Sequence, residues 1–375
     1  MSHIVSYVKR QQENTFLDEP FNEVDALVLS QFIYLKLDGY VGSASENRED
    51  VYLYDIANHI DYDQVFMDER YRKDNVELFE AMVDSKRFRR MRMNYFSNIT
   101  SVLAETQFSA MTIFLEEGPT VIVYRGTDET MVGWKEDFNM AFKEPVTGQN
   151  LSALYLQEVS SKIDGKFIVT GHSKGGNFAV YASMNIEEET QNRIERVYSF
   201  DSPGFRPEIL ESVDFNKIKD RIIKFLPHSS IFGMLLQSKE EYQVVECFSV
   251  GVFQHNPYNW QVVGNEFKKE DKLGRSSIFI NETFNEWIYS LNDEELQAYS
   301  EIWYDVMQEA NITTTLEFAK DPGKTLLQLI DAVRGTDEKT KEMVRALAHG
   351  LVETAKENIK YYAKKRLGKI EDSEI

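Results

Sequence analysis

The sequence predicts an α/β fold built on a mainly parallel central sheet, and three observations carry that prediction. Apolar strand candidates at 166–170, 195–200, 221–226 and 243–249 are separated by helical or loop segments, the alternation of a parallel sheet covered by helices. The first of these runs passes through Gly171-His172-Ser173-Lys174-Gly175 directly into a helix-compatible stretch, Ala179-Val-Tyr-Ala-Ser-Met184. The composition, 42% hydrophobic and 13% aromatic over 375 residues, allows a large core and excludes wholesale disorder.

Taken in order, residues 1–24 are expected to form a polar leader. Residues 24–35 carry helical periodicity with a broad apolar face and predict a helix. From about 50 to 105 the pattern is mainly helical and charge-rich, with no repeat or low-complexity tract. Runs at 110–115 and 120–124 flank Glu117-Gly118-Pro119 and read as a hairpin. Beyond about 290 the pattern becomes helical again, and Met343, Leu347, Leu351, Ala355, Ile359 and Tyr362 recur at spacings of three and four, an amphipathic stripe. The organisation expected is a leader over 1–24, an α/β domain over 25–290 and a helical extension over 291–375.

A strand that turns sharply into a helix through G-x-S-x-G is a nucleophile elbow, and the fold class expected is therefore the α/β-hydrolase fold with helical N-terminal and C-terminal regions. The turn forces Ser173 into a strained backbone conformation, tolerable only where the residues two before and two after are small; Gly171 and Gly175 meet that condition. It lifts the serine oxygen above the C-terminal edge of the sheet and aims the Lys174 backbone N–H at a developing oxyanion. Gly171 and Gly176 also have the spacing of the first two glycines of a phosphate-binding loop. That loop then needs Lys and Ser or Thr, whereas Asn177 and Phe178 follow here.

Serine is a weak nucleophile unless a base takes its proton. Among the six histidines, His3 and His59 precede the sheet and His172 is turned away from the serine by adjacency. The order Ser, acid, His leaves His228, His255 and His349. His349 sits in the C-terminal stripe, whereas His255, in Gln254-His255-Asn256-Pro257, follows the last apolar strand in a turn-rich loop and is the expected base. A second oxyanion donor is expected after an earlier strand, where Tyr124-Arg125-Gly126-Thr127-Asp128 offers a close-approach glycine and then Thr127, with an N–H and a hydroxyl.

These segments, with Phe200-Asp201-Ser202-Pro203-Gly204-Phe205, resemble the F-R-G-[ST], G-H-S-L-G-G and F-G-S-P-R series of class 3 lipases. With Val132-Gly133-Trp134-Lys135-Glu136-Asp137-Phe138 and the His255 loop added, the string is similar to the bacterial lipase-like family called Mbeg-like, over roughly residues 24–265. The resemblance implies Ser173 as nucleophile, His255 as base, and Thr127 with Lys174 as oxyanion donors. Class 3 lipases carry the triad acid just after the next strand, but residues 227–230 read Pro-His-Ser-Ser. Either the acid has moved to Asp201, at the end of the preceding strand, or the third member is absent. Asp214 is a weaker alternative, and Asp137 and Trp134 are expected to be buried supports of the Thr127 loop.

The expected activity is that of a serine hydrolase cleaving a carboxylic ester or lipid, with aromatics near 225–260 as candidate acyl-pocket residues. An acyltransferase would use the same groups, and a catalytically weak binding module is the reading from another class. No metal or cofactor is called for, since no H-E-x-x-H or comparable ligand spacing appears. The formal charge of −20 argues against a nucleic-acid partner. The single cysteine, Cys247, expected in a strand, and an N-terminus without a signal-like apolar core point to the cytoplasm. Lys356, Lys360, Lys364, Lys365, Arg366 and Lys369 cluster around Tyr361 and Tyr362, the composition of a weak membrane-surface contact or of a solvated face.

Overall fold

The runs of β-branched and aromatic residues become the strands of one sheet. The computed structural model describes residues 2–46, 48–68, 71–128, 130–143, 145–310, 322–336 and 338–366. The strands are β1 (Val51–Tyr52), β2 (Arg92–Ser101), β3 (Thr106–Phe114), β4 (Thr120–Tyr124), β5 (Phe167–His172), β6 (Ile194–Phe200), β7 (Ile222–Pro227) and β8 (Tyr242–Val245). Three short strands follow, β9 (Val262–Val263), β10 (Glu266–Phe267) and β11 (Lys269–Glu270). Among the described residues the main sheet runs β1-β2-β3-β4-β5-β6-β7-β8-β11, with β9 and β10 pairing separately. Neighbours from β4 to β8 are parallel, and antiparallel pairs border them on both sides. This is the α/β-hydrolase fold.

Both faces of the parallel strands are buried, as a sheet with helices on each side requires. Along β4, Val121 and Val123 enter one core cluster and Ile122 and Tyr124 the other, following the two-residue period of a strand. The first cluster includes the N-terminal helix Glu23–Phe32, capped by Asn22 in a capping box. The second includes the helices Thr147–Ser160 and Lys174–Met184.

Three segments depart from the sequence reading. The expected polar leader contains the helix Ile4–Arg10, in which Ile4, Val5, Tyr7 and Val8 are buried. Four apolar positions spaced one, two and one apart suffice to seat a two-turn helix, yet are too few to stand out among polar neighbours. Residues 92–101, within the stretch expected to be helical, form β2 because the β3 edge supplies their ladder partners; the pairing shifts register between Asn94 and Ser97, where Tyr95 takes a φ of 56°. The strand expected at 243–249 ends at Val245, and Cys247 pairs only through an isolated bridge to Trp260.

The helical C-terminal region packs on the remainder of the chain. The helix Asp293–Glu309 lies against the helix Met131–Asn139, and Glu338–Arg366 lies against Arg275–Tyr289, where the buried Asn358 donates to Thr283 Oγ1 at 3.1 Å. The side chains of Leu347, Leu351, Ala355 and of 360–366, and residue Lys369, lie outside the described residues, and the expected membrane contact falls mainly on them. Among the described residues no helix is long and apolar enough to cross a membrane.

The N-terminal segment is fastened by one buried ion pair. Arg87 grips Asp25 bidentately, Nε to Oδ1 at 2.8 Å and Nη2 to Oδ2 at 2.5 Å, both side chains being fully buried. The same guanidinium donates to the carbonyls of Thr15, Glu19 and Pro20, and Tyr7 donates to Asp25 Oδ1. Removing one partner of such a pair strands the other charge in the core, at a cost of about 3–5 kcal/mol. Arg87→Ala is therefore expected to lower the urea unfolding free energy by that amount. A loss under about 1 kcal/mol would show that the pair is not what fastens residues 1–25.

Candidate active site

Consecutive parallel strands deliver the predicted residues to one edge of the sheet. Ser173 and Asp201 are each the residue just past a strand and remain tied to the neighbouring one: the Ser173 N–H donates to Phe200 O and the Asp201 N–H to Phe225 O, both at 2.8 Å. The Arg125 N–H, two residues before Thr127, donates to Ser109 O at 2.9 Å.

The elbow is formed as its sequence requires. Ser173 has φ 58° and ψ −134°, a left-handed backbone outside any helix that a side chain occupies only when its surroundings enforce it. A Cβ on Gly171 would lie 2.2 Å from the Gly175 carbonyl, and one on Gly175 would lie 2.2 Å from Tyr124 O. Gly126 brings the preceding loop equally near, since its Cβ would meet His172 O at 2.6 Å. Lys174 opens the helix Lys174–Met184, so its N–H belongs to the first turn, which has no intrahelical acceptors.

The Lys174 side chain is the unexpected part of the elbow. The buried ammonium donates to Glu136 Oε2 at 2.8 Å and approaches Gln107 Oε1 at 3.4 Å. Glu136 is saturated, accepting also from Thr106 Oγ1, the Gln107 N–H and the Gly148 N–H. A desolvated charge pair needs such completion to be tolerable. Its effect is to tie the elbow to the helix Met131–Asn139.

Thr127 stands beside this helix, its hydroxyl donating to Asp137 Oδ2 at 2.5 Å. On the other side of the loop, burial works against the charge of Asp128. Arg125 at 3.5 Å and Lys36 at 3.4 Å outweigh it and hold that carboxyl at about 2. Burial pushes Asp137 up to about 6, against the pull of the Lys174 ammonium. Asp137 supports the Thr127 loop as expected, but neither it nor Trp134 is fully buried, and both line a cavity beside Ser173.

His255 ends a short 3-10 turn, Gly251–His255. Its Nδ1 lies 2.6 Å from Asp201 Oδ2, so the imidazole presents Nε2 as the remaining nitrogen. Asp201 is fully buried with φ 44°, and its other oxygen accepts from Ser230 Oγ at 2.5 Å and the Gly233 N–H at 3.1 Å. Ser230, one of the two serines past the end of β7, thus holds the carboxylate in position. His172 donates from Nε2 to the His255 carbonyl at 2.9 Å, and the imidazole is flanked by the rings of His172 and Phe232 at 4.6 and 4.5 Å. His172 adjoins the serine in sequence, and its position at the end of β5 within reach of the His255 loop is legible only in the fold. Asp214 is exposed on a surface helix with Lys217, and His349 is exposed on the C-terminal helix.

Ser173, Lys174, Thr127 and His255 face a cavity of about 320 Å3 whose remaining wall is largely apolar. That wall comes from Trp134, Phe138, Met140, Leu235, Ile288 and Trp303 more than from the aromatics near 225–260, of which Phe232 alone is a lining ring. A family model described as Mbeg1-like matches residues 82–305. A solved structure of M37 lipase is 15% identical, with a TM-score of 0.34, over 57% of this chain and 70% of that one. No curated protein matches.

Because burial raises Asp137 above its unfolded value of 3.8, the folded state binds the proton more tightly, and stability falls as pH rises from 3.8 to about 6. Asp137→Asn keeps an acceptor for Thr127 and removes the titration. The variant is expected to gain melting temperature relative to wild type at pH 8 and to show no such gain at pH 4. An equal difference at both pH values would contradict the raised carboxyl.

Proposed function

Since the chain belongs to the Mbeg1-like family and folds as an α/β-hydrolase, we propose that it is a serine hydrolase cleaving a carboxylic ester through Ser173, His255 and Asp201. The single observation that carries the reading is the 2.6 Å contact between Asp201 and His255 Nδ1, on the imidazole that shares a cavity with Ser173. Asp201 holds the Nδ1 proton and so leaves Nε2 basic. Nε2 takes the Ser173 proton as the serine oxygen adds to the ester carbonyl. The negative charge then developing on the carbonyl oxygen is met by the Lys174 N–H and by Thr127, each donor of this kind contributing a factor of about 10² to 10³ in rate. Collapse expels the alcohol, protonated by His255, and leaves an acyl-serine. Water, or another hydroxyl in an acyltransferase, releases the acyl group by the same steps in reverse.

The apolar wall fits the acyl part of an ester or lipid, and the free Cys247 fits action in the reducing cytoplasm. The binding-module reading rests on a missing carboxylate, and a carboxylate at hydrogen-bond distance from the imidazole removes that ground.

Fluorophosphonate is expected to label the wild type at Ser173. Ser173→Ala should lose both labelling and ester hydrolysis, and Asp201→Asn should stay folded while turning over on the order of 10⁴ more slowly. An unlabelled wild type, or labelling that survives in Ser173→Ala, would overturn the reading.

A further inference from the structure

The cavity beside Ser173 is lined in part by a residue from the C-terminal helical region. Its wall helix, Met131–Asn139, is held from the inside by the Glu136–Lys174 pair and from the outside by Asp293–Glu309. The outer contacts are specific: Ser300 Oγ donates to Asn139 Oδ1 at 2.8 Å in a buried site, and Lys135 Nζ sits 4.7 Å from the Tyr304 ring centre. The Trp303 ring stacks on Trp134 with centres 6.4 Å apart and planes 14° from parallel. Trp303 thus reaches the cavity from the layer beyond the wall helix, while Ser173, Lys174 and His255 form its polar side.

We propose that Trp303 is the specificity-determining residue that sets the length of acyl chain the cavity accepts, the substrates being esters of aliphatic acids. Volume fixes the limit. The cavity is limited, about 320 Å3, and Trp134 and Trp303 are part of its apolar wall, so the length of chain it admits is bounded. Beyond that length a chain must displace the Trp134–Trp303 stack, which is secured on both sides. The proposal rests on the acyl-ester reading above but is separable from it, because chain binding does not need an active serine.

The test is a calorimetric binding series with unbranched alkanoates from four to sixteen carbons, on the wild type, Trp303→Ala and Trp303→Leu. Affinity for the wild type is expected to rise about fourfold per added methylene and to level off within the series. In Trp303→Ala the levelling point should move out by several carbons, and Trp303→Leu, which keeps an apolar contact on Trp134, should move it less; either variant suffices if the other does not fold. Ala141→Leu, filling the same cavity, should shorten it. A levelling point unchanged in both folded Trp303 variants, affinity that keeps rising to sixteen carbons in the wild type, or no alkanoate binding at all would overturn the proposal. A fluorophosphonate-labelled Ser173 without length-dependent binding refutes the length limit and leaves the hydrolase standing; length-dependent binding with no labelling does the reverse.

Discussion

The candidate site depends on how closely three stretches of backbone pass one another at Gly126, Gly171 and Gly175. A side chain at any of the three would collide with a main-chain atom at 2.2–2.6 Å, and no rotamer change relieves a backbone clash. Because these contacts are made, the β4 loop and the elbow share one small volume, and the Thr127 and Lys174 donors belong to the same edge. The strained φ of Ser173 costs on the order of 1–3 kcal/mol. Ladder bonding from β6 and the packed helix behind the elbow, buried along its whole length, hold it in place.

Around that junction the chain uses desolvated polar groups to fix relative positions. Lys174 forms a buried charge pair with Glu136 and so couples the elbow to the cavity wall. Asp201 is held by Ser230, the Gly233 N–H and His255 together, which spreads a buried charge over three donors. The Ser230 hydroxyl, past the end of β7, thus serves a carboxylate at the end of β6.

Much of this was legible in the residues. The parallel strands, the elbow and the loop bearing Thr127 follow from local patterns of period and glycine placement, and the chain order of Ser173, Asp201 and His255 singles out a small set of groups. What stayed hidden depends on contacts between distant segments. Ile4 to Val8 are apolar enough for a helix but draw their burial from the Arg72–Asp84 and Glu23–Phe32 helices. β2 contains few strand-forming residues and exists because β3 offers an edge. The cavity wall is the clearest case: Trp134 and Trp303 lie 169 positions apart, and nothing local to either marks them as partners.

The central claim is that Asp201 keeps the proton of His255 on Nδ1, leaving Nε2 to accept from Ser173. Nitrogen-15 NMR of protein labelled in its histidine rings reads the tautomer directly. The account predicts neutral His255 protonated at Nδ1 in the wild type, with a strongly downfield Nδ1 proton that is lost in Asp201→Ala. A His255 protonated at Nε2, or a signal indifferent to that substitution, would contradict it.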